Sequence, residues 1–425
     1  MALPRIPRYP PGTDLLGFDR LPAAVDPEFI RLQAEDRAAS RGLLYAKGGE
    51  RTVVCVIHPR GDMSRHYLIP YIVDAGCAAF GQESRSPNND SMATHEALLV
   101  DVAAAIRCLR ERGYEKIVFL GYSGGGSIYS LYQAQAVTAP PGRLTDTPAG
   151  DPYDLNGFDM PPADGMMFVS AHHGAGKMMQ NELDPSVVDE ADPFSCDPAL
   201  DMYNPDNGFR EPPEPSHYSE AFLVRYRAAQ MVRVARIDGI ARSQIAEQRR
   251  FQDMARADGF NELPLRQRTL IGQRAVAGRF LQIFRTDANP SMLDLSIEPS
   301  DRSLGTIVSL RPDLSNYIDN GMARIQSPRA WLSLWSGLSS RAAVFDNLPK
   351  VVVPTLIVTY TGDNAILPNT GRAMYEQSPA ADKVFHSVKA DHFGFPLPAH
   401  PGQGGRKEAG AIVGAWLRDR FPGRS

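Results

Sequence analysis

A serine between glycines, in the pentapeptide GYSGG at residues 121–125, is the position of this chain best suited to covalent chemistry. It follows an apolar run at residues 116–120 and precedes a helix-like segment at residues 126–133. On a sharp strand-to-helix turn the serine backbone is strained, and small neighbours leave its hydroxyl exposed. We therefore predict that Ser123 is a nucleophile, which attacks a carbonyl carbon once a base takes its proton.

A late aspartate and a late histidine supply the other groups that activate a serine. Asp363 follows a β-branched run at residues 354–360, and His392 follows a strand-like segment at residues 383–388. An imidazole can take the serine proton, and a carboxylate can hold that ring in one tautomer. Asp391 competes for the carboxylate role, but a side chain next in sequence to a histidine usually points away from its ring. We therefore favour Asp363.

Size, charge and cysteine usage narrow the class of protein. The chain of 425 residues exceeds the usual size of one domain, and its net charge of -4 gives no reason to expect nucleic acid as a partner. The four cysteines lack C-x-x-C spacing, and the N-terminus has no apolar core of a signal peptide. No apolar run reaches the length of a membrane span. We expect a cytoplasmic protein with a small-molecule substrate, no membrane partner, no metal and no cofactor.

The elements that must position these residues alternate between strand-like and helix-like. This pattern extends from residue 43 to residue 170 and resumes near residue 351. Residues 94–112 form an amphipathic helix that ends at Gly113, and two strands around residues 48–50 suit a hairpin. Such alternation predicts an α/β fold with a mostly parallel sheet covered on both faces.

The stretch between these two parts has a different character. Residues 177–215 are acidic and rich in proline, whereas residues 219–257 and 263–284 predict long, arginine-rich helices. We expect the two sets of charges to neutralise each other, either within one chain or across a homodimer. A docking surface for an anionic substrate or partner is the alternative, because clustered charge focuses an electric field.

Taken in order, these pieces resemble the α/β-hydrolase family. The matching segments are VIHPRG at residues 56–61, GYSGG, Gly362 with Asp363, and DHFG at residues 391–394. The order serine, aspartate, histidine is that of the family. The resemblance implies an α/β-hydrolase core at residues 1–175 and 346–425. A large, mainly helical cap at residues 176–345 would precede the late strand that carries the catalytic acid.

The resemblance also implies roles for individual residues. Ser123, His392 and Asp363 would form a catalytic triad, and the backbone N–H of Gly124 would bind the oxyanion. We assign the second oxyanion donor to Arg60, although Pro59 stands where the family usually has glycine. The remaining candidates are expected near the substrate at the catalytic edge of the sheet; they are His58, Tyr122, His172 and His173.

Three functions follow from this interpretation. We favour hydrolysis of a carboxylic ester of a bulky or aromatic small molecule through an acyl-enzyme. The second is hydrolysis of a carbon–carbon bond in a diketone-type ring-cleavage product, whose acidic group would suit Arg60 and the cap arginines. The third is a catalytically idle small-molecule receptor on the same fold. An intact set of serine, aspartate and histidine argues against this last function.

Overall fold

The computed structural model describes residues 7–18, 20–318, 321–421 and 423, so part of the N-terminal segment considered above lies outside it. Its main sheet has eight strands in the order β1-β2-β4-β3-β5-β6-β9-β10. Strand β2 pairs antiparallel with both neighbours, and all other pairs are parallel. The strands are β1 (Glu28–Gln33), β2 (Ala39–Tyr45), β3 (Thr52–Val56), β4 (Ala78–Glu83), β5 (Lys116–Tyr122), β6 (Gly165–Val169), β7 (Leu281–Gln282), β8 (Ile325–Gln326), β9 (Thr355–Tyr360) and β10 (Lys383–Val388).

Helices cover both faces of this sheet. Helices α2 and α3 pack on one face, whereas α1 and α11 pack on the other. None of the helices in the described part of the chain is both long enough and apolar enough to cross a membrane. The helices are α1 (Ile69–Asp74), α2 (His95–Glu111), α3 (Gly125–Ala136), α4 (Ala175–Glu182), α5 (Glu220–Arg256), α6 (Leu265–Val276), α7 (Pro312–Ser315), α8 (Pro328–Ala330), α9 (Val344–Asn347), α10 (Pro368–Gln377) and α11 (Gly405–Arg420).

The central strands are buried on both sides, as their continuous apolar sequences predict. In β3, Val53 and Cys55 face the α2 side, whereas Val54 and Val56 face the α1 side. The mostly parallel sheet covered on both faces is therefore confirmed. Consecutive parallel strands place their carboxyl ends, and the loops that follow them, along one edge of the sheet.

The expected hairpin between β2 and β3 is wrong. Strand β2 lies between β1 and β4, whereas β3 pairs with β4 and β5. Strand β1 was not predicted from the sequence. Only Ile30 and Leu32 of this strand are buried, so its apolar pattern is too sparse to recognise. With β1 present, the antiparallel pairing of β2 is satisfied without β3.

The segment between β6 and β9 contains α4 to α9 and the short ribbon of β7 and β8. Helix α5 forms almost as expected, and the Ser219 hydroxyl accepts a hydrogen bond from the backbone N–H of Phe222 at its start. Helix α6 ends at Val276, earlier than predicted, because β7 pairs with β8 instead of continuing the helix. The division of the chain at residues 175 and 345 stays a prediction.

Charge neutralisation within the chain is confirmed for part of this segment. Glu190, from the acidic stretch, forms ion pairs with Arg233 at 2.8 Å and Arg236 at 2.6 Å on α5. The buried Arg285 likewise pairs with Asp184 at 2.7 Å and Asp201 at 2.8 Å. The Glu190 pairs fasten the proline-rich stretch to α5, and the Arg285 pairs fasten it to the segment that follows β7.

Candidate active site

Ser123 occupies the turn between β5 and α3 in a strained backbone conformation, with φ of 49°. A methyl group built on Gly121 would lie 2.6 Å from Cα of Gly126. One built on Gly125 would lie 2.3 Å from the carbonyl oxygen of Ile57, which directly follows β3. Both contacts are too close for a side chain, so the two glycines are required for this turn, as the motif predicts.

The structure brings Asp363 and His392 together from two neighbouring strand ends. Nδ1 of His392 lies 2.7 Å from Oδ2 of Asp363, which is fully buried. The same oxygen accepts a hydrogen bond from the Ser170 hydroxyl. Oδ1 accepts from the backbone N–H groups of Ala365 at 2.7 Å and Ile366 at 2.9 Å. This carboxyl group is thus surrounded by donors, and it holds the His392 ring in one orientation.

Asp391 has a different task. Its side chain accepts hydrogen bonds from the Tyr9 hydroxyl at 2.7 Å and from the backbone N–H groups of Phe393 at 3.0 Å and Phe395 at 2.9 Å. Tyr122 supports the same loop, because its hydroxyl donates to the carbonyl oxygen of His392 at 2.7 Å. Both residues therefore shape the loop that presents the histidine.

Ser123 and His392 line one cavity of about 290 Å³ between the sheet edge and the β6–β9 segment. In this conformation no hydrogen bond joins their side chains among the described contacts, which is common for catalytic pairs without substrate. His58, Arg60 and Tyr122 line the same cavity. Most of the remaining wall is apolar and includes Met63, Met178, Met292, Met322, Trp335 and Phe393.

The two backbone N–H groups expected to bind the oxyanion, those of Gly124 and Arg60, differ in whether they already donate a hydrogen bond. Gly124 precedes the first turn of α3, and its backbone N–H has no hydrogen-bond partner in the described part of the chain. The backbone N–H of Arg60, in contrast, donates to Nδ1 of His58 at 3.1 Å. An N–H that already donates to a ring nitrogen is a poorer donor to an oxyanion. The structure therefore counts against Arg60 as the second donor.

His172 and His173 follow β6 at the same edge of the sheet but line an adjacent cavity of about 150 Å³. Burial lowers the pKa of both residues, to about 4 for His173. Nε2 of His172 nevertheless approaches the nucleophile turn, since a methyl group on Gly124 would lie 3.2 Å from it. The two histidines are thus close to the catalytic cavity without lining it.

Three polar residues near this site were missed by the sequence analysis. Ser170 contacts Asp363, while Glu182 and Asp287 come from the β6–β9 segment and line the cavity that contains Ser123. Glu182 is 2 % exposed, and burial raises its pKa to about 8. Its Oε2 atom has no hydrogen-bond partner among the described residues. No sequence motif surrounds these three residues. The only signal in the sequence is for Ser170, which directly follows the strand β6.

Comparisons with known proteins found similar chains among solved structures. No protein-family model matches the chain, and no curated protein matches it. Among solved structures, DcsB in complex with its substrate analogue is 14% identical with a TM-score of 0.45, over 93% of this chain and 99% of that one. An esterase from Pyrococcus furiosus is 11% identical with a TM-score of 0.44, over 97% and 100%. A thermophilic esterase from Thermogutta terrifontis is 13% identical with a TM-score of 0.40, over 92% and 98%.

Similarities at TM-scores this low carry no argument about chemistry, so the assignment rests on the chain's own topology. Strand β2 alone runs against the other seven strands of the sheet. The strained serine stands on the turn after the central strand β5, with a helix directly behind it. This topology is that of an α/β-hydrolase fold.

Proposed function

We propose that the protein is a serine hydrolase that cleaves a carboxylic ester through an acyl-enzyme. One observation carries the proposal: His392, whose Nδ1 lies 2.7 Å from Asp363, lines the same cavity as the serine of the nucleophile turn. Each group has a chemical reason to be there, since a serine needs a base and the base needs an orienting acid.

The proposed reaction begins when Oγ of Ser123 attacks the ester carbonyl carbon and His392 takes its proton. The carbonyl oxygen becomes an oxyanion, to which the backbone N–H of Gly124 donates. Collapse of this intermediate expels the alcohol, which receives the proton from His392. Water then attacks the acyl-enzyme by the same steps and releases the acid.

The cavity wall supports a bulky or aromatic substrate group. Thioether and aromatic side chains dominate it, and methionine adapts to irregular apolar shapes. Several of these side chains belong to the β6–β9 segment, so this segment would exclude water from the bound ester. The proposed partner is therefore a small molecule with substantial apolar surface.

Arg60 favours a second candidate, hydrolysis of a carbon–carbon bond in an acidic diketone. The residue lines the cavity, and no carboxylate lies within 4.0 Å of its guanidinium group among the described ion pairs. A guanidinium group binds a carboxylate strongly through paired hydrogen bonds. The same triad would then act on a ketone carbonyl instead of an ester carbonyl.

The first experiment is labelling with a small fluorophosphonate, followed by intact-mass analysis and peptide mapping. We expect one adduct on Ser123, and no adduct on the folded Ser123→Ala variant. That variant should lose nearly all turnover, by a factor on the order of 10⁶ in kcat. Retained turnover would mean that another nucleophile acts.

Substrate comparison then separates the candidate reactions. Aryl esters should be hydrolysed faster than a vinylogous diketone acid, and the opposite preference would establish carbon–carbon cleavage. Absence of both labelling and turnover would favour the receptor function.

A further inference from the structure

His58 lies in the catalytic cavity, and its hydrogen bonds define which ring nitrogen carries the proton. Nδ1 accepts from the backbone N–H of Gly61 at 2.9 Å and from that of Arg60 at 3.1 Å. A ring nitrogen that accepts hydrogen bonds cannot itself be protonated. The neutral ring therefore carries its proton on Nε2.

This Nε2–H group lies beside the nucleophile turn. A methyl group built on Gly124 would lie 2.8 Å from Nε2, so the ring occupies the space that a side chain at this position would need. Among the described hydrogen bonds, none involves Nε2 of His58. A donor without a partner therefore stands next to the residue whose backbone N–H is the first oxyanion donor.

The surroundings keep this ring neutral. Burial, with smaller contributions from nearby Arg60 and His392, lowers the pKa of His58 to about 3. At neutral pH the ring thus offers one N–H donor and no positive charge. Such a group can stabilise a developing negative charge without exchanging a proton.

We propose that Nε2–H of His58 is the second donor of the oxyanion hole, in the place expected for the backbone N–H of Arg60. The inference rests on the proposed hydrolase function. As Oγ of Ser123 bonds to the carbonyl carbon, the carbonyl π electrons move to oxygen and the serine proton moves to His392. His58 keeps its own proton throughout and donates only a hydrogen bond to the new oxyanion.

His172 is the other imidazole near this point, and its position explains why we choose His58. Its Nδ1 accepts from the backbone N–H of Gly174 at 3.1 Å, so its proton also lies on Nε2. His172, however, lines the adjacent cavity, whereas His58 lines the cavity that contains Ser123. Only His58 combines the required tautomer with access to the proposed substrate.

Two substitutions separate the donor role from a role in shaping the loop. In His58→Asn, the amide oxygen can replace Nδ1 as acceptor for the loop, but nothing replaces Nε2–H. In His58→Gln, the amide nitrogen reaches the position of Nε2 and restores the donor, while the loop acceptor is lost. Kinetics are measured on both variants with 4-nitrophenyl hexanoate.

We expect His58→Asn to lower kcat by roughly 10²–10³-fold with little change in KM, because a lost oxyanion donor acts on the transition state. His58→Gln should recover most of that loss. The reverse ranking, with an active asparagine variant and an impaired glutamine variant, would overturn the proposal and assign His58 to the loop alone.

A measurement independent of turnover separates this inference from the proposed function. In protein labelled with ¹⁵N-histidine, the His58 resonances, assigned by comparison with His58→Gln, should report a neutral ring protonated on Nε2 from pH 8 down to about pH 5. A proton on Nδ1, or protonation of the ring in this range, would overturn the proposal even if Ser123 hydrolyses esters. Failure of Ser123 to label would instead count against the hydrolase function.

Discussion

Two buried carboxyl groups near Ser123 differ in their hydrogen bonding: Asp363, at the sheet edge, contacts His392, whereas Glu182, on the β6–β9 segment, lines the Ser123 cavity. Asp363 has hydrogen-bond donors at both oxygens: His392 and Ser170 at one, and two backbone N–H groups at the other. Glu182 has only Asn289, 3.2 Å from its Oε1, and its Oε2 lacks a partner among the described residues. One carboxyl group is completely satisfied, and the other is not.

Under the proposed function, Asp363 would serve the chemistry and Glu182 would contact the bound molecule. Surrounding donors fix the position of the Asp363 carboxyl group. An unpaired buried polar atom costs free energy, commonly about 1–3 kcal/mol. Glu182 bears that cost where a substrate could remove it, and the neighbouring Asp287 lines the same wall.

The largest expected effect comes from Asp363→Asn, which keeps the size of the side chain but changes the tautomer of His392. We expect kcat to fall by about 10⁴-fold. The matched control is Asp391→Asn, whose carboxyl group binds Tyr9 and the loop instead of the ring. If steady-state kinetics show the larger loss for Asp391→Asn, then the satisfied carboxyl group has been misassigned.

A smaller effect is expected from Ser170→Ala, which removes one donor from Asp363 and touches nothing in the substrate cavity. Without this hydrogen bond the Asp363 carboxyl group has one donor fewer, so it orients the His392 ring less firmly. Steady-state kinetics should show a loss in kcat that is much smaller than for Asp363→Asn, while KM changes little.

Ser170 has a positive φ of 43°, so a glycine variant provides the control for backbone strain. Ser170→Gly loses the same hydroxyl and should show the same loss in kcat. An unchanged kcat in both variants would mean that the Ser170 hydroxyl does not influence the pair.

Glu182→Gln should have the smallest effect on chemistry and should instead change how stability depends on pH. Burial, with a smaller contribution from nearby Asp287, raises the pKa of Glu182 from 4.5 to about 8, although Asn289 and Arg227 oppose the shift. Below pH 4.5 both folded and unfolded chains are protonated. As the pH rises toward 8, the unfolded chain releases the proton first, so the folded state loses stability.

The glutamine variant lacks this loss, which amounts to at most about 1.4 kcal/mol per pH unit. Its free energy of unfolding relative to the wild type should therefore increase between pH 5 and pH 8 in urea titrations. The exposed Glu298→Gln, in the wall of the adjacent cavity, is the control and should show no such increase. Parallel curves for wild type and Glu182→Gln would show that Glu182 ionises normally.

Features that depend only on residues close together in the chain could be predicted from the sequence. The turn at Ser123 needs glycine at 121 and 125, and the strand and helix around it are contiguous in the chain. The preference for Asp363 over Asp391 used only the direction of adjacent side chains and agrees with the 2.7 Å contact to His392, while the catalytic role of Asp363 stays a prediction. The hairpin failed because strand pairing is decided by partners far away, and β1 had too few apolar residues to recognise.

The loop after β3, at residues 58–61, also has one feature that the sequence predicts and others that only packing decides. The sequence by itself determined that a loop after β3 would lie beside Ser123, because parallel strands end at one edge. Only the tertiary structure decided that Nδ1 of His58 engages the Arg60 N–H and leaves Nε2 facing Gly124. It also decided that Glu182 and Asp287 share one wall with the serine. Residue spacing and backbone geometry are local, so they can be predicted from the sequence. The direction of a side chain and its burial depend on how distant segments pack.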